Sequence, residues 1–409
     1  MKIGTFDIRY TSNSNVNYSG TITKEGRIER LERIDSEVVP NLEYTEVWAN
    51  YFETEGKLVY ETTQDPAATE SWDITDGLDI DTIPWGDVWN NTDEGTTIND
   101  YEYQSKITKI VIKDELYPKT TGYMFCDLDN VTNIEGLDKV LDNITDIGEG
   151  MFLACGGLGD LDLSAKNIAN IGDLAFAYSS LTSIVLPNTL KTIKESAFSS
   201  CNLESINIPE GVTSIEGEAF GSCCELREVS LPNSLTSIGN IAFWGTPLTS
   251  ITIPANVKTI GEKCFLECGL TEVHYNAINA SENTFSRDDQ NTPFYGVDDD
   301  YSEIRKLVIG KDVKVIPKDM FAGMIYLDTV IFESPSSLET IEEFAFSECF
   351  DEYEERIELH IPSSIAKIEE NAFLFTPDNL YIYIDKEEGS LNDDSWEIDL
   401  ENPIHWKDN

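Results

Sequence analysis

Four consecutive stretches decide the fold of this chain. They are LTSIVLPNTLKTIKESAFSSCN (181–202), LESINIPEGVTSIEGEAFGSCCE (203–225), LREVSLPNSLTSIGNIAFWGTP (226–247) and LTSITIPANVKTIGEKCFLECG (248–269). All four follow a pattern close to L-x-x-I-x-L/I-P-x-x-L/V-x-x-I-x-x-x-A-F, at a period of 22 to 23 residues. A fixed period of this length is typical of stacked repeats, in which each unit buries its apolar side chains against its neighbours.

The last aromatic residue of each unit sets the phase and indicates about eleven repeats of 22–29 residues. Within one unit, Ile184 and Leu186 alternate with Val185, which is the periodicity of a strand, and Pro187 ends that strand because it has no N–H to donate. The sequence therefore predicts a mostly β solenoid whose successive coils pair in a parallel sheet. The phase-setting aromatic residues are Phe125, Phe152, Phe176, Phe198, Phe220, Phe243, Phe265, Phe294, Phe321, Phe346 and Phe373.

This pattern closely resembles the BspA-like leucine-rich repeat family, and the resemblance covers about residues 107–384. Residues 272–297 followed by 304–324 look like the longer unit of that family, with an insertion in which Asp289 stands where other units carry Ile. The resemblance implies a curved solenoid with a parallel sheet on its concave face. It also implies non-catalytic binding, often of host proteins by bacterial surface proteins.

The ends of the chain do not follow the repeat. We interpret residues 1–104 as a small β-rich N-terminal domain with a docking role, since residues 18–31 and 44–62 have the pattern of hairpins and the segment holds four of the seven Trp. Residues 105–384 form the predicted solenoid. Residues 385–409 form an acidic C-terminal cap or tail, in which Trp396 and Trp406 are available to cover the last coil.

The charge balance is strongly acidic, with 76 Asp+Glu against 28 Lys+Arg and a formal net charge of −48 over 409 residues. Such a surface repels phosphate backbones and anionic lipid, which argues against nucleic-acid binding and against membrane docking. No apolar run approaches the ~20 residues of a membrane span, and the N-terminus lacks the apolar core of a secretory signal. We therefore expect neither a nucleic-acid partner nor direct membrane insertion.

The eight cysteines and three histidines do not form a recognisable chemical site. Most of the cysteines recur three residues after the phase aromatic, a column that elsewhere holds Leu, Met, Ser or Thr, which indicates an inward packing position. We therefore expect the thiols to be reduced and mostly unreactive. No zinc, calcium, phosphate-loop or nucleophile-elbow motif is present, so we predict no cofactor, no metal site and no catalytic residue.

The outward positions of the predicted strands are where a ligand would be recognised. Along the solenoid they change from small polar residues to apolar and aromatic ones. Because exposed aromatic and apolar residues mark contact surfaces, we predict a ligand patch on the later strands. The competing interpretation is ordinary strand propensity on a half-exposed sheet. The predicted patch consists of His274, Val308, Ile331, His360 and Tyr383.

Two functions remain open at this point. The first is a non-enzymatic binding or adhesion protein that displays the solenoid on an extracellular surface and contacts a host surface protein, with a glycan as an alternative ligand. The second is a bacteriophage virion component of the capsid or tail, docked through the N-terminal domain; the missing signal peptide favours it. A hydrolytic site in residues 276–303 is a third and weaker reading, since no catalytic constellation supports it.

Overall fold

A computed structural model gives the arrangement of the chain. The structure describes residues 4–9, 17–22, 28–33, 47–55, 57–68, 70–74, 78, 106–278, 280, 291–294, 303–350, 355–391 and 404–407. Two compact units are present, Met1–Thr45 and Glu46–Asn409. The interruption predicted at Asp289, most of the insertion 276–303 and the expected cover by Trp396 lie outside the described residues.

The N-terminal unit is a three-stranded antiparallel sheet in the order β1-β2-β3. Its strands are β1 (Gly4–Arg9), β2 (Asn17–Ile22) and β3 (Ile28–Arg33). The hairpin predicted over residues 18–31 is present, with Tyr18 opposite Arg33.

Three further strands precede the repeats and belong to the solenoid unit. They are β4 (Trp48–Phe52), β5 (Lys57–Glu61) and β6 (Glu70–Asp73), with a 3-10 turn at Glu53–Glu55 between the first two. The strands β4 and β5 form the hairpin predicted over residues 44–62, and β5 pairs in parallel with β7 (Lys109–Ile112), the first strand of the repeats. We call β4–β6 the N-terminal cap.

The N-terminal cap closes the first coil with a specific contact. The Tyr60 hydroxyl donates to the Met124 carbonyl at 2.6 Å, and the Tyr60 ring lies edge-on to Phe125 with 5.1 Å between centroids. The division between compact units consequently lies between Thr45 and Glu46, whereas the sequence analysis placed a boundary near residue 104. The difference arises because strand pairing with β7, and not the repeat, joins the cap to the solenoid.

The long strands of the coils form the first side of the solenoid. They fall into five separate ladders, within which neighbouring strands pair in parallel with equivalent positions in register, as Leu161 and Ile184 do. They are β7, β8 (Ile134–Glu135), β10 (Asp160–Asp162), β12 (Ser183–Val185), β14 (Ser205–Asn207), β16 (Glu228–Ser230), β18 (Ser250–Ile253), β20 (Glu272–Tyr275), β21 (Lys306–Ile309), β23 (Thr329–Phe332), β25 (Ile357–Ile361), β27 (Leu380–Ile384) and β28 (Ile404–Trp406).

Two-residue strands form the second side, on the return path of each coil, in parallel ladders of six and three strands. A single helical turn, α1 (Asp138–Leu141), lies in the second coil. The short strands are β9 (Asp146–Ile147), β11 (Asn170–Ile171), β13 (Thr192–Ile193), β15 (Ser214–Ile215), β17 (Ser237–Ile238), β19 (Thr259–Ile260), β22 (Val315–Ile316), β24 (Thr340–Ile341) and β26 (Lys367–Ile368). The mostly β, parallel solenoid predicted from the sequence is confirmed.

The aromatic column runs through the interior and confirms the phase of all eleven coils. Each ring contacts the next with centroids 5.1 to 6.1 Å apart, and most successive rings are nearly parallel. The backbone N–H of Phe198 donates to the Ala219 carbonyl of the next coil at 2.8 Å, so hydrogen bonds also join the coils on this third side.

The turn that carries each aromatic residue has an unusual backbone. At every turn whose two flanking positions are described, the residues two before and two after the aromatic have positive φ; Ser196 and Ser200, at 53° and 57°, flank Phe198 in this way. Gly150, Gly245 and Gly323 occupy equivalent positions, as expected where the left-handed conformation is needed. The remaining positions hold other residues and cost about 1–2 kcal/mol each, which stacking between coils offsets.

Besides packing in the interior, the cysteine column forms hydrogen bonds between successive coils. The Sγ of Cys201 donates to the Phe176 carbonyl at 2.8 Å, and Cys223 and Cys349 donate to the equivalent carbonyls of the coils before them. Burial raises the pKa of Cys155, Cys201 and Cys349 to about 12. The expectation that all thiols face inward does not hold for Cys224, which is exposed because it lies one residue beyond the column.

Candidate interaction surface

Alternation along the long strands separates a buried and an exposed face of the same sheet. In β12, Ile184 points into the core and is 8% exposed, whereas Val185 points outward and is 53% exposed. We call the middle outward positions of successive strands the outward row. Because parallel strands keep equivalent positions in register, this row is continuous from coil to coil within each paired segment.

The earlier part of the outward row, from Val185 to Thr252, carries no aromatic or charged side chain. After Val185 it consists of exposed polar side chains of small size, one from each of β14, β16 and β18. A groove of about 620 Å³ lies beside this part, lined largely by Ser, Thr and Asn together with Arg227 and Glu228. The side chains of the row here are Asn207, Ser230 and Thr252.

The middle of the row contains the first three residues of the predicted patch, aligned on β20, β21 and β23. His274 is opposite Val308, which is opposite Ile331. Ile331 is 42% exposed, but Val308 is buried at 7% because its two neighbours in the row flank it on both sides. Val308 therefore does not contribute an exposed surface, contrary to the prediction.

His274 is held by charged neighbours. Its Nε2 lies 2.7 Å from Glu272 Oε1, the same oxygen that accepts a hydrogen bond from Lys306 Nζ at 2.8 Å. The hydrogen bond from Lys306, followed by that of His274, holds the pKa of the Glu272 carboxyl below its usual value. The carboxylate thus remains ionised and joins β20 to β21 on the exposed face.

The last three strands carry a stack of rings that we call the aromatic row, consisting of His360, Tyr383 and His405. Strand pairing sets them opposite one another, with His360 opposite Tyr383 and Tyr383 opposite His405. The ring centroids are 4.8 and 4.7 Å apart and the planes are within 15° of parallel. Tyr383 is therefore covered on both faces, while the side chain of His360 remains 67% exposed.

Arg356 fixes the strand-entry side of the aromatic row. Its guanidinium lies over the Tyr381 ring, 4.0 Å from the centroid, and donates a hydrogen bond to the Tyr383 hydroxyl. It also forms an ion pair with Glu358 at 2.9 Å, and His360 Nε2 lies 3.5 Å from the same carboxylate. The arginine is therefore held rigidly while half of its side chain remains exposed.

A groove of about 570 Å³ follows the aromatic row. Apolar side chains of Ile331, Phe332 and Trp406 line it together with the three rings, and Asp385 and Lys407 form an ion pair of 2.7 Å at its rim. The structure thus brings together Ile331, His360 and Tyr383 of the predicted patch, and leaves His274 two strands away from Ile331. It adds Arg356, Phe332, His405 and Trp406, which the sequence analysis did not place in the patch.

Among the described residues, no group of three or more His, Cys, Asp or Glu side chains is arranged to hold a metal ion. Likewise, no described helix has the length and apolar character required to cross a bilayer.

The coils, their aromatic column and their in-register strands define a leucine-rich repeat solenoid. The chain belongs to the family of the BspA type leucine rich repeat region, which it matches in six copies over residues 96–223, 169–291 and 300–394. The stacked repeats of solenoid proteins form extended surfaces that are used for binding other proteins.

Several solved structures are similar to this chain. A leucine-rich repeat protein from Bacteroides ovatus ATCC 8483 is 16% identical with a TM-score of 0.45, over 89% of this chain and 98% of that chain. A leucine rich cell surface protein from Faecalibacterium prausnitzii A2-165 is 21% identical with a TM-score of 0.34, over 88% and 93%. A leucine-rich repeat protein from Eubacterium ventriosum ATCC 27560 is 17% identical with a TM-score of 0.35, over 91% and 95%. No curated protein matches the chain.

Proposed function

We propose that this chain is a non-enzymatic adhesion protein of a bacterial surface, and that it binds a protein partner through the outward face of its long-strand sheet. The observation that carries the proposal is the groove along the aromatic row. It combines an exposed aliphatic residue, Ile331, with stacked rings, and an arginine, Arg356, lies on the strand-entry side of the same row. Aromatic residues and Arg are the residue types that dominate binding energy at protein interfaces.

The family supports this assignment, since repeat solenoids use such surfaces for protein recognition. The three-stranded sheet of Met1–Thr45 forms its own compact unit and is our candidate for the attachment module. Nothing in the comparisons points to the virion alternative, which has no further support.

The experiment compares two substitutions that make the same chemical change at two ends of one row. The full chain is coupled to beads, and its retention is measured on surfaces coated with animal cell-surface proteins and on the same surfaces after protease treatment. Ile331→Asp places a charge beside the groove, whereas Val185→Asp makes the same change at an equally exposed position of the early outward row.

We expect protease-sensitive binding that falls at least about tenfold in Ile331→Asp and stays within about twofold in Val185→Asp, since a charge buried in an interface without a partner is strongly unfavourable. Circular dichroism confirms that both variants are folded. Equal losses in the two variants would place the contact elsewhere on the sheet, and retention that survives protease treatment would contradict a protein partner.

A further inference from the structure

The distribution of histidine over this chain is uneven. Only three are present among 409 residues, and all three, His274, His360 and His405, lie at outward positions of the long-strand sheet. Two of them are the outer members of the aromatic row, on either side of Tyr383. The residue type that titrates between pH 5 and 8 is thus concentrated on one exposed face.

Among the described residues, the fixed charges that contact the aromatic row or line its groove are paired, although the chain as a whole is strongly acidic. On β25 and its entry, Arg356 is paired with Glu358. At the rim beside β27 and β28, Lys407 is paired with Asp385. In the part of the chain that the structure describes, the other titratable groups that contact the two imidazoles are Tyr381 and Tyr383 of β27. The neighbouring strand Thr329–Phe332 carries no titratable side chain.

Two positive and two negative side chains therefore cancel at the groove before any imidazole is protonated. Protonation of His360 and His405 adds two positive charges to this balanced surface. At physiological ionic strength, charges farther than about 8 Å away are largely screened. The charges near the groove therefore determine its electrostatic potential more than the net charge of −48 does.

We infer that the groove along the aromatic row binds an acidic segment of the protein partner, and that it does so more tightly in mildly acidic conditions than at neutral pH. This inference rests on the proposed function and specifies its partner. The histidine ring edges and Arg356 offer N–H donors to carboxylates, while Ile331, Phe332 and Trp406 contribute apolar surface along the groove.

The geometry favours a polypeptide over an acidic glycan. Sugar rings usually bind by stacking on the open face of an aromatic ring, but both faces of Tyr383 and one face of each histidine are covered within this row, at 4.7 and 4.8 Å. What remains is a line of polar edges beside an apolar wall. That combination suits a segment in which carboxylate and aliphatic side chains alternate on opposite sides of an extended backbone.

The probe is a short fluorescein-labelled peptide of alternating Asp and Leu, with a control peptide in which Asn replaces Asp. Asp remains ionised at both pH values of the assay, about 5.5 and about 7.5, so a change in affinity reports on the protein. Fluorescence anisotropy with the full chain gives the dissociation constants. We expect the acidic peptide to bind about tenfold more tightly at the lower pH, and the Asn peptide to show no such change.

Matched histidine variants locate the effect. The double variant His360→Asn, His405→Asn should lose the pH dependence, whereas His274→Asn, which removes the third histidine from the same face, should retain it. Because the double variant also alters the packing of β28, the imidazole resonances of the unmodified chain are followed by NMR. The acidic peptide should shift the resonances of His360 and His405 and leave that of His274 unchanged.

Several results would overturn the inference. They are an unchanged pH dependence in the double variant, equal binding of the Asn peptide, or a shift of His274 alone. Tighter binding of an oligomeric uronate than of the peptide would identify a glycan site instead. Self-association at the lower pH that requires His360 and His405 would make a second copy the occupant. If beads still bind proteins at neutral pH but the peptide does not bind, only this inference fails and the proposed function stands.

Discussion

Replacement of Phe220 by Ala tests the principle on which the whole solenoid is built. Phe220 is fully buried, and its ring is stacked on Phe198 at 5.3 Å and on Phe243 at 5.4 Å, with interplanar angles of 2° and 6°. Truncation of a buried Phe costs about 3–5 kcal/mol. Because this ring contacts another ring on each face, and such contacts contribute about 0.5–1.5 kcal/mol beyond burial, we expect a loss near the upper end of that range.

The location of the loss is as informative as its size. In a solenoid the interface between two coils stabilises both, so the cavity left by Phe220→Ala should weaken the coils of Phe198 and Phe243 as well as its own. Hydrogen exchange followed by mass spectrometry measures this directly. Protection should fall at the short strands Thr192–Ile193, Ser214–Ile215 and Ser237–Ile238, and much less near Phe373.

Phe375→Ala is the matched control, since this ring is 66% exposed and lies two residues after a member of the column. Its truncation should cost less than about 1 kcal/mol. A loss below about 1 kcal/mol for Phe220→Ala, or a fall in protection spread evenly over all coils, would refute the argument that stability is a sum of local interfaces.

Three further predictions concern the thiols, the turns and the cap. Iodoacetamide at about pH 8 should label the exposed Cys224 before the buried Cys201 in the native chain, because burial raises the pKa of Cys201 to about 12 and keeps that thiol protonated. Rapid labelling of Cys201 would contradict this. Ser200→Gly should be neutral or stabilising by up to about 1 kcal/mol in thermal unfolding, and Ser200→Val destabilising, because φ is 57° there; the opposite order would show that the turn is not left-handed. A chain that starts at Glu46 should keep the protection of the first coil against hydrogen exchange. A chain that starts at residue 105 should lose that protection, because it lacks the contacts of Tyr60 with Met124 and Phe125. Equal protection in both chains would contradict the capping role of β4–β6.

The interior could be predicted from the sequence because each coil repeats the same physical problem. A residue such as Phe220 must fit the ring before it and the ring after it, so its column contains one residue type in every coil. The same reasoning identified the cysteine column, although not the hydrogen bond from Cys201 to the Phe176 carbonyl. Sequence periodicity shows that a position is inward, but not which backbone group its side chain satisfies.

Features without a period could not be found in this way. The N-terminal cap is joined to the repeats by a single strand pairing, that of β5 with β7, which leaves no repeated signal. His405 and Trp406 form the last strand of the sheet, although they belong to an acidic segment that the sequence predicts to be a cap or tail. Val308 has the pattern of an outward residue, and only the side chains beside it in space bury it.

The difference between the two ends of the outward row follows from the different surroundings of inward and outward residues. An inward residue is held from two sides, whereas an outward residue contacts its row neighbours and solvent, so its chemistry can change from coil to coil without loss of the fold. The early row uses this freedom for side chains such as Ser230 and Thr252, which offer little area to a partner. The last three strands use it for rings that stack on one another, and the stack orders His360, Tyr383 and His405 before any partner arrives. Because binding then requires little further ordering of these side chains, the last strands are where a partner should gain most of its affinity.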